Sequence, residues 1–266
     1  MIDSISVIAG NGELPLKVLH NVKKMGINAD VIGIEGEYDR KIIPLCNRFE
    51  SIRFYEIERG IEILKRFQNE DIIFVGGVSK IGLLNIFRPD VLKKILQLKS
   101  LSDENIFKGV INLISNSGFR IISFTKFYKE GIVKEGVLCG RDPEERIIND
   151  ALYGRDFIKH NSLYSTGQSV IVKNENIVAV ETIYGTDNML QYFLKNRLNN
   201  SVFVKCSKDN QDMRIDLPSI GRKTIDLLYK AKIEWVFMES GKTVIIGDND
   251  TIKYALKKGI NICGIR

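Results

Sequence analysis

The chain has 266 residues, of which 44% are hydrophobic and 27% charged. This length and balance are typical of one large globular domain or two small ones, and they exclude an extensively disordered chain. Lysine and arginine exceed aspartate and glutamate by 39 to 33, which gives a net charge of +6. Such a charge suits phosphate, nucleic acid or an acidic membrane surface, although a basic surface kept for solubility is an equal alternative. The lysines are spread along the chain and no nucleic-acid-binding motif occurs, so we expect no nucleic-acid partner.

The sequence also limits compartment and cofactor. No run of about 18 apolar residues occurs, and the start, MIDSISVIAGNGELP, lacks the basic segment of a secretory signal, so we expect a cytoplasmic protein. The four cysteines are far apart and form no C-x-x-C pair, which argues against disulfides and a zinc knuckle. Because only two histidines are present, a catalytic metal would need oxygen ligands, which favours Mg²⁺ or Mn²⁺.

Strand and helix patterns alternate along the first half of the chain. Apolar β-branched runs predict strands at Ser4–Ala9, Ala29–Ile34, Asp71–Val75 and Phe119–Phe124. Helical periodicity predicts helices at Leu14–Met25, Ile57–Phe67, Pro89–Leu98 and Asp103–Ser115. This alternation predicts an α/β fold in which a Rossmann-like parallel sheet forms an N-terminal domain, residues 1–126.

A linker and a second domain are predicted next. Residues 127–141 contain three glycines and no helical period, which is typical of a linker. Residues 142–266 follow as a second α/β domain with a mixed sheet. Its predicted elements are a helix capped by Asp142, a hairpin of Ser169–Lys173 and Ile177–Glu181, helices at Asp187–Leu198, Lys223–Lys232 and Asp250–Lys258, and strands at Val202–Cys206, Trp235–Met238, Thr243–Ile246 and Asn261–Gly264.

Two glycine-containing loops follow predicted strands of the first domain. Gly10-Asn11-Gly12 comes before a helix, whose first N–H groups can bind an anion. Because Pro15 stands where the dinucleotide fingerprint has its third glycine, a nicotinamide cofactor is disfavoured. The second loop contains Gly77 and Lys80 and is expected at the same edge of the sheet, so the two loops could line one crevice. A plain strand-to-helix turn and a solvated Lys80 are the alternatives.

The second half contains polar residues that helical periodicity does not explain. These are Gln168, Thr186, Asp187, Lys205, Lys208, Asp212, Arg214 and Asp216. Asp212 and Asp216 occur in a segment that proline and glycine keep from forming a long helix. Carboxylates that hold a divalent cation, with lysine or arginine nearby, are what pyrophosphate hydrolysis requires. The alternative is structural: Asp187 caps its helix and Asp212 lies in a turn.

Four segments carry a family resemblance. They are IAGNGELPL, STGQSVIVKNENIVAVETIYGTDNML, KCSKDNQDMRIDLPSIGRKTI and MESGKTVIIGDNDTI. In this order they resemble the LpxI-type UDP-2,3-diacylglucosamine pyrophosphatases of lipid A biosynthesis. The resemblance covers most of the chain and is tighter in the second half.

The resemblance implies a mechanism and roles for residues. It implies two domains with the lipid-nucleotide in the groove between them, a catalytic C-terminal domain, and metal-dependent attack of water on the α-phosphate. Asp216, in the R-x-D-L-P-x-x-G motif, is the expected catalytic residue, and Asp187 and Asp212 are expected to complete a Mg²⁺ or Mn²⁺ site with it. The expected substrate-binding residues are Gly10, Asn11, Gly12, Gly77, Lys80, Gln168, Thr186, Lys205 and Arg214. At position 77 the family usually has lysine, so the glycine removes one cation from this loop.

The lipid part of such a substrate needs apolar cover. Ile81–Ile86 and Val91–Leu98 are unusually apolar and lie beside Lys93, Lys94 and Lys99. They are expected either to line an acyl groove or to dip into the membrane surface, or else to form ordinary helix core. We therefore expect a peripheral protein on the inner face of the cytoplasmic membrane, and a homodimer is left open.

Two other classes of function compete with the hydrolase. A non-catalytic carrier of nucleotide-sugars or lipids would keep a basic groove and need no divalent metal. A Rossmann-type oxidoreductase would bind NAD(P)H, and the missing third glycine counts against it.

Overall fold

A computed structural model of the chain describes residues 2–78, 103–164, 166–195, 198–209 and 211–266. The chain forms two compact units. The first contains Met1–Tyr128 together with Asp212–Asp216, and the second contains Lys129–Gln211 and Leu217–Arg266. The predicted helix Pro89–Leu98, the apolar stretch Ile81–Ile86 and Lys80 lie outside the described residues.

The first unit is built on a five-stranded parallel sheet. Its strands are β1 (Ser4–Ala9), β2 (Asn28–Ile34), β3 (Arg48–Ile52), β4 (Asp71–Val75) and β5 (Arg120–Ile121), in the order β3-β2-β1-β4-β5. Every neighbouring pair is parallel. The first strand lies in the middle of the sheet, and the order of strands reverses between β1 and β4, as in a Rossmann fold. The predicted Rossmann-like domain is confirmed.

The described helices of this unit are α1 (Leu14–Lys24), α2 (Ile57–Phe67) and α3 (Asp103–Asn116). Helix α1 carries a proline in its first turn, and its buried residues recur at helical spacing. Helix α2 buries Gly60, Ile63, Leu64 and Phe67 against the sheet. The strand predicted at Phe119–Phe124 is shorter, because the Ser123 hydroxyl accepts the Thr125 N–H (3.3 Å) and caps a 3-10 helix at Phe124–Phe127.

The second unit contains a six-stranded mixed sheet. Its strands are β6 (Gly136–Cys139), β7 (Ser169–Lys173), β8 (Asn176–Val180), β9 (Val202–Lys205), β11 (Trp235–Glu239) and β13 (Asn261–Ile265), in the order β6-β13-β11-β9-β7-β8. The central strands β9, β11 and β13 are parallel, whereas β6, β7 and β8 run antiparallel to their neighbours. This confirms the predicted mixed-sheet α/β domain. A short parallel pair, β10 (Ser219–Ile220) and β12 (Val244–Ile245), lies apart from this sheet.

Four described α-helices belong to the second unit. They are α4 (Glu145–His160), α5 (Gly185–Phe193), α6 (Arg222–Lys230) and α7 (Asp248–Lys257). The prediction that Asp142 caps α4 is wrong, because the cap is Glu144. The Asn261 side chain accepts the Arg141 N–H (3.0 Å) and holds the preceding segment beside β13. In the part of the chain that the structure describes, no helix is both long and apolar enough to cross a membrane.

Candidate active site

In the first unit, the loops after β1 and β4 are bonded to each other. The Gly10 N–H donates to the Val75 carbonyl (2.9 Å), and the Asn11 N–H donates to the Gly77 carbonyl (2.7 Å). The Gly77 N–H returns a bond to the Asn11 carbonyl (3.2 Å). The structure therefore brings Gly10, Asn11 and Gly77 together at the carboxyl edge of the sheet. This is the switch point at which open α/β sheets bind ligands.

The glycines of these loops serve two different purposes. A Cβ at Gly10 would collide with the Gly77 carbonyl, and a Cβ at Gly76 would lie 2.5 Å from the Asn11 carbonyl oxygen. Gly10 and Gly76 are thus required by the contact between the loops. Gly12 is exposed with φ +90°, and a Cβ there would meet nothing within 4 Å. Gly12 therefore leaves the start of α1 open to an approaching group.

Replacing Gly10 with alanine is expected to destabilise the first unit. The added carbon forces the two loops apart, and overpacking of this kind typically costs about 1–3 kcal/mol. Urea unfolding of Gly10→Ala measures the loss. Gly221→Ala is the control, because its φ of −136° suits any residue and its added carbon meets only an ordinary contact, Ile246 Cβ at 3.7 Å. Equal losses in the two variants would contradict the proposed role of Gly10.

The segment Asp212–Asp216 belongs to the first unit, although it is encoded in the second half of the chain. Ile215 packs against the hydrophobic core formed by the sheet with α2 and α3. The Ile215 and Asp216 N–H groups both donate to the Asp212 carbonyl (3.1 and 3.2 Å), which folds the segment into a turn. Asp216 is exposed on this turn. Ile215 therefore anchors the predicted catalytic aspartate to the Rossmann-like unit.

Asp212 is engaged by Arg214. Its carboxylate accepts the Arg214 backbone N–H (3.0 Å) and two guanidinium bonds (3.0 and 2.6 Å). The hydrogen bonds from the Arg214 side chain lower the pKa of the Asp212 carboxyl. Arg214 was predicted to bind phosphate, and in the structure its guanidinium neutralises Asp212.

In the second unit, Lys205 and Glu181 form a buried ion pair. We call these two residues, together with Ser169 and Thr186, the Lys205 centre. Lys205 Nζ donates to Ser169 Oγ (2.8 Å) and Thr186 Oγ1 (2.7 Å) and lies 3.5 Å from Glu181 Oε2. Both charged residues are buried, at 4% and 6% exposure. Because Lys205 has three oxygen partners for its three N–H groups, it holds elements together rather than reaching out to a ligand.

The Lys205 centre fixes two predicted substrate-binding residues. Glu181 Oε2 accepts the Gln168 N–H (3.3 Å) and the Thr186 hydroxyl (2.9 Å). A Cβ at Gly167 would collide with the Glu181 side chain, so this glycine is required for the close approach. Gln168 and Thr186 thus lie close together, because both are bonded to Glu181 Oε2. The sequence analysis did not assign Glu181 a role. The available signal was the Gly167-Gln168 pair, which packs against its side chain.

Asp187 lies beside this centre, in the first turn of α5. The cap of α5 is Tyr184, so the interpretation of Asp187 as the helix cap is wrong. Its carboxylate pairs with Lys223 Nζ at 2.7 Å. Asp187 belongs to the second unit, and Asp212 and Asp216 belong to the first.

A further polar cluster, the Glu239 centre, was missed by the sequence analysis. Glu239 Oε2 accepts the Ser207 N–H (2.9 Å) and hydroxyl (2.6 Å), and the carboxylate also binds Lys159 Nζ (2.9 and 3.0 Å) and Lys242 Nζ (2.9 Å). Burial raises the pKa of Glu239, but the hydrogen bonds from Lys242, Ser207 and Lys159 outweigh it and hold the pKa at about 2. Since β9 and β11 are parallel neighbours, the Glu239 and Lys205 centres lie at the same edge of the sheet.

The Glu239 centre predicts a pH dependence of stability. The folded pKa of about 2 lies below the ordinary value of 4.5, so the stabilisation is complete above pH 4.5 and is lost as the pH falls toward 2. The total is about 3 kcal/mol. Urea unfolding between pH 6 and 3 should therefore show a smaller loss of stability for Glu239→Gln than for the wild type. Parallel pH profiles of the two proteins would contradict this assignment.

The described residues offer a limited set of metal ligands. Among them, no group of three histidine, cysteine, aspartate or glutamate side chains lies close enough to hold a metal ion. Asp212 and Asp216 share one turn of the first unit. Mg²⁺ is commonly held by one or two carboxylates, with waters and substrate phosphates completing its shell. Asp216 and Asp212 offer two such carboxylates, of which Asp212 is paired with Arg214 in this structure. Asp187 is engaged by Lys223 in the other unit.

Comparisons with known proteins define the family. Residues 4–131 match the model of the LpxI N-terminal domain, and residues 134–263 match that of the LpxI C-terminal domain. Both units are therefore domains of a single two-domain α/β family. The chain belongs to the LpxI family.

One relative is similar along its whole length. The UDP-2,3-diacylglucosamine pyrophosphatase LpxI of Caulobacter vibrioides is 23% identical over 276 residues, which cover 98% of this chain and 97% of that protein. Among solved structures, the biotin carboxylase domain of the Hydrogenobacter thermophilus 2-oxoglutarate carboxylase is 12% identical with a TM-score of 0.31. The match covers 73% of this chain and 40% of that one. This structural similarity is too low to bear on function.

Proposed function

We propose that this protein hydrolyses the pyrophosphate bond of UDP-2,3-diacylglucosamine and releases UMP and 2,3-diacylglucosamine 1-phosphate, lipid X, for lipid A and lipopolysaccharide synthesis. The observation that carries the proposal is the match of both domains to the LpxI family, with a relative of that activity aligned over 98% of the chain. The reaction joins a water oxygen to the α-phosphorus and breaks the bond from that phosphorus to the bridging oxygen. The bridging oxygen leaves with the lipid phosphate.

The proposed role of Asp216 rests on the family motif and is supported by its place on the turn. Its exposed carboxylate is carried by a segment that Ile215 anchors in the core of the first unit. Held in this way, Asp216 is suited to orient the attacking water and, with Asp212, to hold Mg²⁺ or Mn²⁺. When bound, such a cation neutralises charge on the phosphate oxygens. Arg214 keeps Asp212 ionised, because its hydrogen bonds lower the pKa of that carboxyl.

The diphosphate and nucleotide are assigned to the loops at the carboxyl edge of the first sheet. Gly10, Asn11 and Gly12 precede α1, whose N-terminus lacks a side-chain cap and favours negative charge. Gln168 and Thr186 are held in place by the Lys205 centre and are proposed as substrate-binding residues. Gly77 belongs to the first set, since it is bonded to Asn11.

Turnover with and without metal tests the proposal. Purified protein should convert UDP-2,3-diacylglucosamine to equal amounts of UMP and lipid X, measured by mass spectrometry. EDTA should stop the reaction, and Mg²⁺ or Mn²⁺ should restore it. Binding of the substrate without any release of UMP would favour the non-catalytic carrier and contradict the hydrolase.

The membrane location and the homodimer remain proposals. A diacylated substrate and a net charge of +6 favour binding to an anionic bilayer surface. Co-sedimentation with phosphatidylglycerol vesicles should be seen at low salt and weaken as the salt concentration rises. The molar mass measured by light scattering during size-exclusion chromatography shows whether the protein is a dimer.

A further inference from the structure

The first unit contains an apolar cavity between its sheet and helices α2 and α3. The cavity has a volume of about 60 Å³, which is room for several water-sized groups. Its lining includes Ile8, Ile34, Phe54, Gly60 and Phe107, and none of the lining residues that the structure describes is polar. Protein interiors seldom contain voids larger than a water molecule, so this apolar space has room for part of a bound molecule.

The chemistry of the lining selects the kind of occupant. A sugar, a nucleoside or a phosphate placed here would lose hydrogen bonds to water and find no partner in return. Water itself is held poorly in a cavity without polar groups. A linear alkyl chain has no such requirement and gains from the burial of each methylene group.

The cavity lies next to the candidate active site. Val78, which lines it, directly follows the Gly76-Gly77 loop, and Ile8 lies two residues before Gly10. Ile215 packs on the same hydrophobic cluster and is the neighbour of Asp216 in the chain. An alkyl chain in the cavity would therefore belong to a molecule whose polar part lies near these loops and Asp216.

Several lining side chains are incompletely buried. Phe54, Ile57, Ile61, Phe107 and Val110 are each partly exposed, whereas a closed core would cover them fully. They form an apolar entrance through which a chain can enter from solvent. These residues belong to α2, to α3 and to the loop that follows β3.

We propose that this cavity binds one acyl chain of the lipid substrate and thereby selects substrates by chain length. The assignment rests on the proposed function for the identity of the substrate, while the binding of an alkyl chain to the cavity stands on the geometry alone. The expectation that Ile81–Ile86 and Val91–Leu98 line an acyl groove concerns residues outside those that the structure describes, and it stays a prediction.

Displacement of a fluorescent fatty acid, 11-(dansylamino)undecanoic acid, tests the cavity without any turnover. Unlabelled fatty acids of 8 to 14 carbons should displace the probe with an affinity that rises up to roughly fourfold per methylene. Gly60→Leu should fill the cavity and weaken binding at least tenfold. The new Cβ would lie 3.0 Å from Ile52 Cδ1, the end of a flexible side chain, so only a small shift is needed.

Two further variants keep the test decisive. Glu62→Leu adds the same side chain at an exposed position of α2 and should bind like the wild type. Val110→Phe narrows the entrance from α3 and replaces Gly60→Leu if that variant fails to fold. The proposal would be overturned if the probe did not bind, or if its displacement did not depend on the chain length of the fatty acid. It would also be overturned if both cavity variants bound the probe like the wild type.

Turnover of UDP-2,3-diacylglucosamine, measured in parallel, separates the two proposals. If both hold, Gly60→Leu raises KM in proportion to its weaker fatty-acid binding and leaves kcat nearly unchanged. Fatty-acid binding without turnover in the wild type would overturn the proposed function and leave the cavity assignment standing. Turnover with an unchanged KM in a folded Gly60→Leu would overturn the cavity assignment and leave the function standing.

Discussion

Asp216→Asn should abolish turnover of UDP-2,3-diacylglucosamine, lowering kcat by roughly 10³-fold while substrate binding changes little. The amide keeps the size of the side chain but removes the charge that orients the water and attracts the metal. Since Asp216 is exposed on its turn, the substitution should not disturb packing. Single-turnover rates and equilibrium binding of the substrate give the two quantities separately.

Asp250→Asn is the matched control, because Asp250 is an exposed aspartate in the first turn of α7. It should retain the wild-type rate. Asp216→Ala provides a second removal of the carboxylate and should be equally inactive. A near wild-type rate in either Asp216 variant would show that the role assigned to this residue is wrong.

Lys205→Met should have the largest effect on stability, a loss of about 3–5 kcal/mol. The substitution leaves Glu181 buried without its cation, and the hydroxyls of Ser169 and Thr186 lose a donor. The desolvation of an unpaired carboxylate is far more costly than the pair is worth when intact. Urea unfolding at neutral pH measures the difference.

Lys223→Met is the control for Lys205→Met, because it removes a lysine from an ion pair that is exposed rather than buried. Lys223 pairs with Asp187 but is 77% exposed, so its removal should cost less than about 1 kcal/mol. Lys205→Met combined with Glu181→Leu should recover part of the lost stability, because both charges are then removed. A loss in Lys205→Met as small as that in Lys223→Met would contradict the structural role of the Lys205 centre.

Strands with buried, β-branched sequences could be predicted closely. Strands β1 and β4 and helix α2 have the predicted bounds, because burial imposes a clear period on their sequences. Strand β3, Arg48–Ile52, was missed, since it forms the edge of the sheet and its charged residues hide the alternation. Strand β6 lies within the predicted linker 127–141, where glycines dominate the local pattern.

The candidate site was predictable only in part. The residues of the family motifs could be named from the sequence, including Asp212, Asp216, Gln168 and Thr186. The pairing of Asp212 with Arg214, and the anchoring of this segment to the other half of the chain, depend on tertiary packing that local sequence does not encode. The Glu239 centre joins residues of α4 and β11 that lie 80 positions apart. Each of them alone resembles an ordinary surface charge.

Hydrolysis in ¹⁸O-labelled water tests the central proposal most directly, namely that water attacks the α-phosphorus of UDP-2,3-diacylglucosamine. After a single turnover, the two products are separated and weighed by mass spectrometry. One ¹⁸O atom is expected in UMP and none in lipid X. Label in lipid X, or no release of either product, would contradict the proposed reaction.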